Sequence, residues 1–119
     1  MNFLFVYGTL KRGCKNHAHI AGQTYQGEAR SEPGYRLYDL GDYPGMVVDT
    51  SDTEGVTGEL WSVDNAALAR LDEFEGLNEG LYRRVAIKLL TTSAPITAHT
   101  YLYARDPGSL RIGNTWREK

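Results

Sequence analysis

The feature that most constrains this chain is a scarcity of helix. One window, Asn65 to Phe74 or Glu75, carries a convincing helical period, with Ala67, Leu68, Leu71 and Phe74 on one stripe. Asp64 stands before it as a good N-cap, and Gly76 follows as a natural stop. Around this window lie about six strand-like runs. Phe3–Tyr7 is a nearly continuous apolar run of the kind buried on both faces. A short strand fits between the glycines of residues 21–34, which hold Gly22, Gly27 and Gly34, and another spans Tyr35–Leu40. The turn at Gly41–Gly45 leads into Met46–Val48. Val56–Val63 alternates and predicts a strand with one solvated or half-covered face. Tyr82–Leu90 and Ile96–Ala104 are β-rich, joined as a hairpin through Thr92–Pro95. Asn16–Ile20 suits one helical turn. No βαβ alternation appears, so the expected fold is α+β: a small, mostly antiparallel, barrel-like sheet with one main helix packed on it.

The 119 residues suit one domain, 1–119, with no repeat or linker. No apolar run nears the ~18 residues that a membrane helix needs, and the start does not read as a signal peptide. The one cysteine, Cys14, forms no internal disulfide, which points to a reducing cytoplasm. Net charge is −2 but unevenly spread: residues 39–79 hold eleven acids and one base, between flanks rich in Lys and Arg. This layout argues against a nucleic-acid footprint and predicts that the segments pair across the fold.

Glu75 stands out among the acids. It lies four residues after Leu71, along the edge of the core-facing stripe, at the helix end where a carboxylate is disfavoured. Asp72 and Glu79 are its same-face neighbours and both are acids, so its pKa should rise, as a general acid/base requires. The alternative is a solvated surface glutamate, the reading given to Asp72 and Glu73, or a cap for nearby basic residues. Tyr7-Gly8-Thr9-Leu10 ends the first strand at a glycine. It is either a plain strand-to-turn junction or a loop whose amides meet a ligand. It lacks both phosphate-loop and dinucleotide fingerprints. Cys14, His17 and His19 lack a second ligand cluster, His99 lies far along the chain, and no partner singles out Cys14 as a nucleophile.

Taken in order, these pieces resemble the gamma-glutamylcyclotransferase-like superfamily, in particular the gamma-glutamylamine cyclotransferases and their compact bacterial relatives. The carriers are Val6-Tyr7-Gly8-Thr9-Leu10-Lys11-Arg12-Gly13 with Asn16-His17, Gly41-Asp42-Tyr43-Pro44-Gly45, Gly58-Glu59-Leu60-Trp61, Leu71-Asp72-Glu73-Phe74-Glu75-Gly76 and Tyr82-Arg83-Arg84. They span residues 6–84, with Tyr101-Leu102-Tyr103 as the last strand. The resemblance implies a cavity between the first loop and the helix end. Tyr7, Gly8, Thr9 and Leu10 would hold the gamma-glutamyl group, Glu75 would be the catalytic acid/base, and Tyr82 would lie near the cavity. It implies cyclisation of a gamma-glutamyl amine or peptide to 5-oxoproline, with no metal, nucleotide or covalent intermediate. The partner would be a small gamma-glutamyl substrate, not a nucleic acid or membrane. Two alternatives remain: a non-catalytic module binding a small carboxylate, and acyl transfer on another gamma-glutamyl conjugate. Oligomeric state stays open, with Trp116 near the tail as a candidate exposed contact.

Overall fold

A computed structural model of the chain describes residues 2–90 and 95–118. Its elements in order are β1 (Asn2–Val6), a 3-10 turn (His17–His19), β2 (Thr24–Ser31), β3 (Tyr35–Asp39), β4 (Pro44–Val48), β5 (Thr57–Val63), α1 (Asn65–Phe74), β6 (Tyr82–Leu90) and β7 (Ile96–Tyr103). Five strands close a barrel in the order β1-β5-β2-β6-β7, and β3 and β4 form a separate ribbon. All pairings are antiparallel except β1 with β7, whose parallel contact at Leu4 and His99 closes the barrel. The expected α+β architecture, barrel-like and mostly antiparallel with one main helix, is what the chain adopts.

Period-two alternation sends the two faces of β1 into two apolar clusters. Leu4 and Val6 pack with Trp61, Ala67, Leu68 and Leu71 beneath α1. Phe5 and Tyr7 pack with Leu37, Met46, Leu60 and Leu102. Phe3 departs from the expected two-sided burial and stays exposed. β2 lies within the glycine-punctuated stretch where a strand was expected and runs through Gly27, which at φ +129° absorbs a bulge in its register with β5. β5 also differs from expectation: both of its faces are covered, and Glu59 is 5% exposed. Trp116 is not a surface contact either; at 3% exposure it sits in the second cluster. Backbone bonds from Asp39 to Leu110 and from Ile112 to Leu37 lay the tail along β3 and bring it there. The expected hairpin is present as the antiparallel pairing of β6 with β7, and of its connection, expected at Thr92–Pro95, only Pro95 lies within the described residues.

The charge asymmetry resolves as cross-segment pairing. Arg12–Glu59, Arg36–Asp49, Arg84–Asp72 and Arg111–Asp49 each join the acidic middle of the chain to one of its basic flanks.

Candidate active site

Helix α1 begins as its sequence dictates. The Asp64 side chain accepts from Ala67 N at 2.7 Å, a cap that stabilises the helix by about 1 kcal/mol. Its end is equally defined. Gly76 takes φ +71°, Gly76 N donates to Glu73 O at 3.1 Å, and Leu77 N donates to Asp72 O at 3.2 Å. This closure makes Glu75 the C-terminal cap residue and stops the chain from carrying it further round the helix.

β1 delivers the opposite wall. Its last residues run into Tyr7-Gly8-Thr9-Leu10, and a tight turn follows with Lys11 N on Gly8 O. Asn16 clamps this loop twice, its amide N–H to Thr9 O and its Nδ2 to Thr9 Oγ1, both at 3.0 Å. His17 Nδ1 lies 3.0 Å from Leu10 O. Pro44 of the β3–β4 ribbon presses on Gly8 so closely that a Cβ there would stand 2.7 Å from its Cγ. Among the described residues, the amides of Gly8, Thr9 and Leu10 donate to no protein acceptor.

Loop, helix end and ribbon enclose one cavity of about 190 Å³. Tyr7, Gly8, Thr9, Leu10, Glu75 and Tyr82, singled out from sequence, all line it. So do Asn16, Tyr43, Phe74 and Tyr101. Burial raises the Glu75 carboxyl from its ordinary 4.5 to about 7. The direction matches expectation, but the cause is desolvation rather than the neighbouring acids. Asp72 is neutralised elsewhere: its Oδ1 accepts from Arg84 Nε at 2.9 Å and from Tyr101 Oη at 2.8 Å. Asp72 thus serves as the partner of a basic residue, the second of the two roles foreseen for it.

The tyrosines are fixed by their own hydrogens. Tyr7 Oη donates to Tyr101 O at 2.6 Å, and Tyr82 Oη donates to Pro44 O at 2.7 Å. Burial, reinforced by Glu75, raises the pKa of both hydroxyls; for Tyr101 burial leads and the bond to Asp72 adds to it. With their protons committed, all three hydroxyls stay neutral and offer acceptor lone pairs. The donors of the site are therefore the loop amides, Thr9, Asn16 and the Tyr43 hydroxyl. Among the described residues, its one ionisable lining group besides tyrosine is Glu75.

Other candidates lie apart. Cys14 borders a different hollow with Lys15 and Glu118. His99 contacts Arg84 at 3.2 Å, and burial followed by that guanidinium lowers its pKa. His19 stacks on Phe74, ring centroids 4.0 Å apart. Phe74 itself, assigned to the buried stripe, is 41% exposed and borders the cavity instead. Sequence reasoning overlooked Tyr43 and Tyr101 as lining residues. Tyr101 carried no local mark, because its role comes from β7 passing Asp72 at a sequence distance of 29.

Comparison with known proteins agrees with this geometry. The family model described as gamma-glutamyl cyclotransferase, AIG2-like, matches residues 4–118. A relative from Vibrio cholerae, provisionally named a gamma-glutamylcyclotransferase, is 39% identical over 103 residues, covering 86% of this chain and 82% of its own. The rat gamma-glutamylaminecyclotransferase is 33% identical over 96 residues, covering 75% of this chain and 64% of its own. The crystal structure of a mouse AIG2-like protein superimposes with a TM-score of 0.85 at 26% identity, over 98% of this chain and 88% of that one. Over nearly its whole length, this chain belongs to the AIG2-like gamma-glutamyl cyclotransferase family.

Proposed function

We propose that this protein cyclises the gamma-glutamyl group of a gamma-glutamyl amide to 5-oxoproline and releases the amine, with Glu75 as acid/base. The observation that carries the reading is one partly buried, desolvated carboxyl, held near pKa 7, sharing a cavity with a loop whose amides have no protein acceptor among the described residues.

The chemistry balances without a co-reactant. The substrate's α-nitrogen forms a bond to its own gamma-carbonyl carbon, and the bond from that carbon to the leaving nitrogen breaks. Glu75 takes a proton from the α-nitrogen and returns it to the leaving nitrogen. A carboxyl near pKa 7 is suited to both halves at neutral pH. Amides of Gly8, Thr9 and Leu10 would hold the substrate carboxylate or the developing oxyanion, and Tyr7 and Tyr82 would shape the wall. Bringing nucleophile and carbonyl together within one molecule supplies an effective concentration of roughly 10⁵ M or more. The rat relative's name is consistent with an amine as the leaving group.

The test is 5-oxoproline release from a panel of gamma-glutamyl amides and dipeptides, beside Glu75→Gln. The expected result is product with the native chain, reduced roughly 10²–10⁴-fold in the variant, with the circular dichroism spectrum unchanged. Product retained in the variant would remove Glu75 from the reaction. Binding without product from any substrate would make the cavity a binding site alone.

A further inference from the structure

We propose that Lys11 is a positioning residue of the site: its ammonium ties the Tyr7–Leu10 loop to the C-terminal tail, and this tie sets the loop amides for the substrate. The inference rests on the reading of the cavity given above and adds to it a residue outside the lining.

The tail reaches the loop as a fixed strut. Leu110 O accepts from Asp39 N at 2.8 Å and Ile112 N donates to Leu37 O at 3.1 Å, so this stretch lies along β3. Asn114 O then accepts from Thr57 N at 2.8 Å, which carries the tail across to the start of β5. Trp116 follows, buried in the same apolar cluster as Tyr7. These successive anchors leave the Trp116 carbonyl little freedom, and an acceptor already ordered costs little further entropy when a donor is held on it.

Lys11 is the donor that meets it. Its Nζ donates to Trp116 O at 2.8 Å, across 105 residues of sequence. Among the described residues Lys11 enters no ion pair, so the carbonyl has no carboxylate competing for the ammonium. Bonds from a charged donor are roughly twice as strong as neutral ones. At the far side of the same turn, Lys15 N donates to the Glu118 carboxylate. The tail thus grips residues 11–15 at both ends.

The grip lies beside the amides that face the cavity. Lys11 follows Leu10 directly, and its own N–H donates to Gly8 O at 3.1 Å, closing the turn that presents the Gly8, Thr9 and Leu10 amides. Pro44 presses on Gly8 from the ribbon, and the ribbon is itself bonded to the tail. Among the described residues, neither Lys11 nor the tail lines the cavity. Any effect on the substrate therefore passes through the loop.

Two variants test this. Lys11→Met keeps the aliphatic stem and removes the donor, while Lys11→Arg keeps a cationic donor. Lys11 is only partly buried, so both should fold, as circular dichroism would verify. Hydrogen exchange over residues 8–17 reads the loop, and KM for a gamma-glutamyl amide reads its use. In Lys11→Met we expect faster exchange in that segment alone, and KM raised about tenfold with a smaller fall in kcat. The pH inflection from Glu75 should stay near 7. Lys11→Arg should recover most of both losses. A tie that served stability alone would lower the melting temperature and leave KM native. Unchanged exchange, or a loosened loop with native KM, overturns the proposal. So does a shifted inflection, which would place the Lys11 charge in the field of the cavity. If the native chain yields product from no amide, the cyclisation reading fails on its own. Exchange then decides by itself whether Lys11 holds the loop.

Discussion

Tyr101 and Asp72 meet through a single hydrogen bond of 2.8 Å from phenol to carboxylate, and Arg84 Nε takes the same oxygen at 2.9 Å. One carboxylate oxygen thereby ties α1 to both β6 and β7 at the side of the cavity, three residues before Glu75. Removing its charge should loosen all three elements together. Asp72→Asn is expected to lower stability by about 1–3 kcal/mol, because partly buried donors lose an ionised acceptor. Tyr101→Phe should cost less in the Asp72→Asn background than in the native chain. Urea unfolding of the four proteins of this double-mutant cycle would measure the coupling, and strict additivity would show that the bond holds nothing.

The partly buried, desolvated Glu75 carboxyl should leave its mark on stability as well as on rate. Its pKa is about 7 in the folded chain against 4.5 for a free glutamate. Below pH 4.5 it is protonated in both states and costs nothing. Between these values folding holds the proton that the unfolded chain has released, so stability falls as pH rises. The loss is complete above about pH 7 and amounts to at most roughly 3 kcal/mol. Glu75→Gln should flatten this part of a stability–pH profile, leaving it more stable than the native chain at pH 8 relative to pH 5. Catalysis runs the other way. If the carboxylate is the base, kcat/KM should climb through pH 6–8 with an inflection near 7, and a flat profile would assign the proton transfer elsewhere.

Much of this arrangement was legible before any coordinates, and the physical reasons are particular. The limits of α1 followed from Asp64 and Gly76, because capping and left-handed closure are local chemistry. Glu75 followed from its place on the stripe. Burial of Glu59 did not, since alternation along β5 says which residues share a face and not what covers it. The cover comes from Arg12, 47 residues away. Trp116 failed for the same reason: the tail has little pattern of its own and is drawn inward by bonds to β3. Phe74 fits the apolar period, yet it lies where α1 meets the cavity, so its ring borders open space instead of core. Tyr101 and Asp72 are joined only by topology.

Gly8 is required by space. A Cβ there would stand 2.7 Å from Pro44 Cγ and 3.0 Å from its Cδ, and a proline ring in a ribbon has little room to yield. Gly8→Ala should therefore push the loop and the β3–β4 ribbon apart, at a cost of about 1–3 kcal/mol. The loop amides sit on the moving side, so KM should rise more than kcat falls. Thermal unfolding and steady-state kinetics on one sample would separate the two effects. A variant with native stability and native KM would mean that the ring shifts freely.

Glu59 shows how a residue outside the cavity can govern it. Its Oε1 accepts from Arg12 N at 3.0 Å and from Trp61 Nε1 at 3.1 Å, while Arg12 Nε lies 3.5 Å from Oε2. The Arg12 guanidinium also lies 3.6 Å over the Tyr25 ring, which ties it to β2. The backbone two residues beyond Leu10 is thus anchored to β5, and the geometry of the loop amides depends on that anchor. Glu59→Ala strands a buried indole N–H and a backbone N–H, and should cost about 2–4 kcal/mol. Glu59→Gln keeps the shape and one carbonyl acceptor but loses the charge, so it separates the two contributions. It should fold with a smaller penalty, retain the Glu75 pH inflection, and raise KM as the loop gains freedom. A Gln variant that shifted the inflection instead would place the Glu59 charge in the electrostatics of the cavity rather than in the positioning of its loop.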